Sequence, residues 1–330
     1  EVGNSYGRFM TTVTYPYDEQ TQNWTSTSSY PNTKLKPERT KSWEVGLDAR
    51  ILNDISLNLT YYRSNTYNQT FYADLSLSSG YSNIPIQSGN IMNEGIEMAL
   101  GYNKQWKDFS FNTNYTLTWN KNRVKRLADG VYNYATGQSI QMPELSPLTY
   151  GHTDARLILR VGGSMGDVYG QRLLKRDLNG YILNEEGVGL TMENKETYLG
   201  SILPKMNMGW SLGFGYKGVN LGMTFTGRFG GIVISETQSV LDAAGVSKVS
   251  ADVRDAGGVQ INQGKVSAQT YYQAIQGTAA YYTYSATNVR LGELSLSYTL
   301  PKKWFDNKVG MTVGLVGKNL WMIYCKAPFD

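Results

Sequence analysis

From Met206 to Phe229 the chain alternates with a period of two. Met206, Met208, Trp210, Leu212, Phe214 and Tyr216 take every second position, and Asn207, Gly209, Ser211, Gly213 and Gly215 fill the places between. Lys217 and Gly218 interrupt the run, then Val219, Leu221, Met223 and Phe225 resume it around Asn220, Gly222, Thr224 and Thr226. That period puts large apolar side chains on one face of a strand and small or polar ones on the other. A two-residue break ending in Gly reads as a hairpin turn. One hairpin is not stable alone in water, so more strands must flank it.

The same pattern recurs along the chain. Trp43, Val45, Leu47, Ala49 and Ile51 alternate with Glu44, Gly46, Asp48 and Arg50, and after a turn at 52–54 Ile55, Leu57, Leu59 and Tyr61 take it up. Ile96, Met98, Leu100 and Tyr102 form the next run, and Phe109 to Trp119 follow a turn at 103–107. Ala155 to Val161 and Val168 to Arg176 flank a turn at 162–166. Asn288 to Leu300 slips phase near Gly292, the mark of a bulge. Val309 to Leu315 lead a last strand toward Trp321 and Tyr324, and Gly7 to Tyr15 are a further candidate at the start. This gives about eleven strands. Short breaks alternate with long polar ones near 16–38, 65–89, 121–154, 177–205 and 230–287.

Composition decides what the two faces meet. Only 41% of the 330 residues are apolar, yet there are 25 Tyr, 7 Trp and 35 Gly. The small-residue faces are Gly, Ser, Thr and Asn with few charges, which suits a wet interior. An apolar outside with a polar lumen, short turns at one end and long loops at the other describe an all-β, transmembrane antiparallel β-barrel. No apolar run reaches the roughly 18 residues of a membrane helix, whereas barrel strands need only about 9–11 alternating residues. The odd strand count predicts that a further strand lies beyond this sequence. No secretory leader is evident at Glu1-Val2-Gly3-Asn4.

One Cys (Cys325) and one His (His152) argue against a disulfide framework, a zinc site and histidine-based catalysis, so no metal or cofactor is expected. The net charge of +4 is scattered, with no basic block for nucleic acid. Gly213 to Gly218 match G-x-G-x-x-G but lead into a strand, leaving no helix N-terminus for a pyrophosphate. Asp177 to Glu186 lack the ligand spacing of a calcium loop.

Several blocks carry a family resemblance. LKPERTKSWEVGLDAR (Leu35 to Arg50), NEGIEMALGY (Asn93 to Tyr102), VGGSMGDVYGQ (Val161 to Gln171), NVRLGELSLSYTLPKKW (Asn288 to Trp304) and GKNLWMIYCKAPFD (Gly317 to Asp330) follow in order. Together they resemble TonB-dependent outer-membrane transporters, particularly the SusC type of Bacteroidota. The resemblance covers nearly the whole chain and implies a barrel of about 22 strands with a plugged lumen. Residues 1–330 would be the C-terminal part of that barrel, with the plug, the TonB-contacting segment and the final strand outside this sequence. It further implies import of oligosaccharides or peptides, a SusD-type surface lipoprotein closing over the mouth, and energy from the TonB–ExbB–ExbD complex. A siderophore, haem or cobalamin receptor is the rival within the class. A barrel adhesin or outer-membrane enzyme is the rival outside it, although no acid–base or nucleophile set converges.

Strand phase nominates Glu44, Asp48, Arg50, Glu97, Arg156, Arg160 and Arg290 as lumen-facing, for plug docking, solvation or substrate contact. A charge facing lipid at mid-membrane costs about 2–4 kcal/mol, so the phase of these residues is itself a test of the barrel reading. Aromatics on the long loops can stack on sugars or peptide side chains. The candidates are Tyr132, Tyr134, Tyr271 and Tyr272, with Trp24, Tyr72, Tyr81, Tyr281 and Tyr282 beside them.

Overall fold

Eight long strands pair in a single antiparallel sheet. The computed structural model describes residues 17–18, 23–24, 36–74, 83–133, 138–142, 144–149, 154–186 and 189–328. The first four wall strands are β1 (Arg39–Ile51), β2 (Ile55–Asp74), β3 (Asn83–Trp106) and β4 (Phe109–Arg126). A second, four-stranded sheet then forms from β5 (Glu144–Thr149), β6 (Ala155–Arg160), β7 (Asp167–Leu174) and β8 (Met192–Ser201). The chain returns to the wall as β9 (Met206–Tyr216) and β10 (Val219–Phe229), which pairs with β11 (Asn288–Thr299) and through it with β12 (Thr312–Cys325). Between β10 and β11 lie three short helices, α1 (Glu236–Ala243), α2 (Lys248–Asp255) and α3 (Ala268–Ile275).

The ladder registers sort the side chains into two faces. Residues opposite each other on neighbouring strands share a face. Ala49, Leu57, Leu100, Tyr115, Trp210, Phe225, Leu291 and Trp321 form one continuous row across all eight strands. The row two residues higher runs Leu47, Leu59, Met98, Leu117 and Met208. The opposite face runs Asp48, Asn58, Ala99, Thr116, Gly209, Thr226 and Arg290. Large apolar side chains on the first face are exposed, including Trp43, Leu47, Leu100, Trp210, Leu315 and Trp321. Water would not leave such a band bare on a soluble protein; lipid satisfies it.

The turns joining wall strands are short and lie at one end. Lys217 and Gly218 both take positive φ (45° and 89°), the geometry of a tight primed hairpin turn. Leu52 and Asn53 do likewise (50° and 63°) before β2. A single 3₁₀ turn (Lys302–Phe305) follows β11. The bulge expected at Gly292 is present, with the register shifting between Leu291 and Glu293.

Three expectations are corrected. Strand β4 pairs directly with β9, so 155–161 and 168–176 are not wall strands, and the wall has eight strands among the described residues rather than about eleven. The turn at 162–166 lies at the long-loop end: Val124 N donates to Gly163 O and Gly162 N to Val124 O, both at 2.8 Å, and Met165 N reaches Asn122 Oδ1 at 2.7 Å. The segment 65–89, read as a loop, is largely strand. β2 has 20 residues and β3 has 24, roughly 66 and 80 Å of extended chain, far more than a bilayer needs. Above the membrane both faces of a strand are wet, so its apolar alternation fades. The candidate strand Gly7 to Tyr15 lies outside the described residues.

The excursions pack onto the upper wall. Phe71, Ile91, Val124 and Leu127 of the β2–β4 region are buried with Leu159 of β6, and Met165 packs against them. A second core joins Leu174 and Ile182 to Ile261, Tyr272, Ile275 and Tyr282 of the helical segment.

Candidate lumenal face

The polar face of the wall is the candidate site. Glu44, Asp48 and Arg50 sit on β1, Glu97 on β3 and Arg290 on β11, all on the face opposite the apolar band. Five of the seven predicted inward charges therefore have the expected phase. Arg156 and Arg160 do not line the wall, because β6 belongs to the second sheet. Arg160 pairs with Glu196 at 2.5 Å and stacks on the Tyr169 ring at 4.5 Å, fixing β6 against β7 and β8.

Charge is distributed unevenly over this face. Glu44 and Glu97 flank Thr60 and Tyr62 around a shallow concavity of about 490 Å³ that Ser42 and Trp43 complete. Tyr62 Oη donates to Asn120 Oδ1 at 3.0 Å, and Asn58 donates to Asp48 at 2.6 Å. At the other end of the wall Arg228, Arg290 and Lys318 occur with Glu293. Arg228 is committed to structure, since its Nη2 donates to Ile202 O at 2.7 Å and ties the foot of the second sheet to the wall.

Glycines on this face are filled from within the sheet. A methyl at Gly213 would lie 2.5 Å from the Asn112 side chain, at Gly215 2.3 Å from Ser110 Oγ, and at Gly222 2.5 Å from Ser295 Oγ. Each is therefore the resting place of a polar side chain from the neighbouring strand. The result is a smooth, hydrogen-bonding inner surface.

The loop aromatics fare differently. Tyr272 of α3 is buried (5% exposed) and meets Tyr271 edge-on, with ring centroids 5.1 Å apart. Burial pushes the Tyr271 hydroxyl up to about 12. Tyr282 is 1% exposed, and burial raises its hydroxyl as well. Tyr272 and Tyr282 belong to the core of the helical segment and are closed to a ligand, and Tyr271 is half-buried against them. Tyr132 lies on a strand, Ala128–Asn133, whose side chains are outside the described ones, and Tyr134 and Tyr81 lie outside the described residues. Tyr72, at the top of β2, is exposed.

Asp154, not anticipated from the sequence, joins three segments of the cap. Its side chain is 1% exposed and accepts from Arg172 Nε at 3.1 Å and from Ala279 N at 3.0 Å, while its carbonyl accepts from Gln171 N at 3.2 Å. Arg172 in turn donates to Gly277 O at 2.9 Å.

A wall with an apolar lipid face, a polar inner face and all its short turns at one end is the wall of an outer-membrane β-barrel. Residues 3–320 match the family described as TonB dependent receptor-like, beta-barrel, and the chain belongs to that family. It is 24% identical over 327 residues to TonB-dependent receptor P3 of Formosa agariphila, covering 92% of this chain and 31% of that protein. Over 132 residues it is 28% identical to TonB-dependent receptor SusC of Bacteroides thetaiotaomicron, covering 39% of this chain and 12% of SusC. The chain thus spans about a third or less of the length of these relatives, and it resembles the SusC type. In structure it is similar to a chain of the RagAB peptide transporter, with a TM-score of 0.66 at 18% identity, over 94% of this chain and 34% of that one. At that identity the likeness is one of fold. The family places the chain in the outer membrane, as the apolar band requires.

Proposed function

We propose that this chain is the C-terminal part of the barrel of a SusC-type active importer of oligomeric nutrients, glycans or peptides. The observation that carries the reading is the membership of nearly the whole chain in the TonB-dependent receptor barrel family, on a wall with one lipid face and one wet face. A pore wide enough for an oligomer leaks unless plugged, and the outer membrane has no ATP. Movement of a plug must then be driven from the inner membrane, which is the part of TonB–ExbB–ExbD. The polar, glycine-smoothed inner face suits a plug that slides, and Glu44, Asp48, Arg50, Glu97 and Arg290 serve plug docking and lumen solvation. A SusD-type lipoprotein covers the mouth from the long-loop side. The protein binds and passes its cargo without chemistry on it.

Deletion in the producing bacterium is expected to abolish growth on one oligomeric nutrient while growth on its monomer survives. Purification of the full transporter from outer membranes should bring down a surface lipoprotein. Unchanged growth on every oligomer, polymer and iron chelate tested overturns transport. Loss of growth confined to an iron chelate, haem or cobalamin overturns the nutrient class instead.

A further inference from the structure

We propose that an internal water molecule is bound beneath α1, between the hydroxyls of Ser239 and Tyr282. α1 is built against the usual order of an amphipathic helix. Its buried residues are Ser239 (0% exposed) and Asp242 (4%), three apart and so on one face, while Val240 and Leu241 are exposed. The inward face is therefore polar, and each group on it needs a hydrogen-bond partner. Asp242 has its partners. Gln238 Nε2 donates to its Oδ1 at 2.7 Å, and the Ser247 hydroxyl donates to the same oxygen. Among the described residues Ser239 Oγ and Tyr282 Oη have no partner, and both atoms are closed off from bulk solvent.

The two hydroxyls are neighbours. Ser235 N donates to Tyr282 O at 3.0 Å and Ser239 N to Ser235 O at 3.3 Å, so the first turn of α1 stands against Tyr282. Burial, and next the charge of Asp242, raise the pKa of the Tyr282 hydroxyl, while the Ser239 hydroxyl, within side-chain reach, lowers it. Yet neither hydroxyl donates to the other. A buried hydroxyl left unpaired costs more than a made hydrogen bond returns. One water satisfies both. It accepts from Tyr282, donates to Ser239 and turns its second hydrogen toward the negative charge of Asp242, which supplies the two to four polar partners that a buried water requires. A calcium ion there would need about six to eight oxygens, several from carboxylates, and Asp242 is the one carboxylate acting on Tyr282. α3, by contrast, buries Ala268, Tyr272 and Ile275 in the core that also takes Tyr282, so the water marks off α1 from the rest of the helical segment. The site is independent of what the pore carries.

The test is an experimental structure of the full transporter at a resolution that shows ordered water. Density is expected about 2.7–3.0 Å from both Ser239 Oγ and Tyr282 Oη. A direct bond between the two hydroxyls, or a contact with no density between them, overturns the proposal. Density at about 2.4 Å from these oxygens, the distance of a bound cation, overturns it too. Hydrogen exchange gives a second reading. Tyr282→Phe and Ser239→Ala should each speed exchange of residues 236–243 by about fivefold, and the double variant should add little, because the water is lost in either case. Slower exchange in Tyr282→Phe would mean that an unpaired hydroxyl had been removed, and additive effects of the two changes would mean that nothing couples them; either result rejects the site.

Discussion

Asp154 shows how one buried side chain can tie together segments far apart in the chain. It contacts Arg172 on β7 and the backbone at Ala279, which belong to excursions more than a hundred residues apart in sequence. Removing a buried carboxylate leaves its donors without partners, which costs more than the net worth of the bonds. Asp154→Ala is expected to loosen the cap by about 2–3 kcal/mol. Hydrogen exchange should show faster exchange in 268–285 with the wall unchanged; unaltered protection there rejects the junction. Tyr271 gives a pH signature in the same cap. Its hydroxyl is held up to about 12 by burial, against an ordinary value of about 10. Below pH 10 both folded and unfolded chains keep the proton, and the contribution to stability is complete. Between about 10 and 12 the unfolded chain gives up the proton first, so cap stability falls as pH rises through that window. Tyrosinate absorbance should therefore titrate in two waves in the folded protein and in one after denaturation. Tyr271→Phe should remove one residue's worth of the later wave.

Among the elements, the hairpin of β9 and β10 is the most tightly specified. Gly218 sits at φ 89°, and a Cβ there would lie 2.8 Å from Thr299 O. Gly218→Val is expected to cost about 1–2 kcal/mol for the left-handed backbone alone, seen as slower assembly of heat-resistant barrel; assembly at the wild-type rate counts against it. The short helices are held differently. Each begins at a serine whose hydroxyl accepts a backbone N–H: Ser235 from Gln238, Ser247 from Ser250 and Ser267 from Thr270. Ser267→Ala should cost roughly 1 kcal/mol, read as faster exchange in 268–275. Ser235-Glu-Thr-Gln238 is a capping-box pattern that was readable in the sequence, yet the stretch 230–287 reads as irregular. Helices of eight residues carry too little period to stand out, and packing around Tyr272 and Ile275 supplies what propensity does not. The extended tops of β2 and β3 were hidden for a related reason. Their alternation is lost where no lipid demands it, although Thr, Tyr and Asn still favour pairing there.

At the level of the whole molecule the two faces make opposite predictions for one kind of substitution. Leu100 lies in the middle of the lipid band and Thr118 on the inner face. Leu100→Arg should destabilise the folded barrel in bilayers by about 2–4 kcal/mol, whereas Thr118→Arg should be nearly neutral. Denaturant titration in lipid vesicles compares them directly, and equal penalties would reverse the assignment of faces.

Alternation along the chain is enough to define the wall. Lipid on one side and water on the other force a period of two, so Trp43 to Ile51, Ile96 to Tyr102 and Met206 to Phe225 could be phased without coordinates, and Glu44, Asp48, Arg50, Glu97 and Arg290 with them. Tertiary structure alone decided which alternating segments belong to that wall. Ala155 to Arg160 alternates like a barrel strand because one of its faces packs on a protein core rather than on lipid, and a period of two does not tell those two apolar partners apart. The pairing of β4 with β9, across 79 intervening residues from 127 to 205, is a long-range choice of ladder. No local pattern encodes it, and it moves Arg156 and Arg160 out of the lumen, while a second core takes in Tyr272 with Tyr271 packed against it.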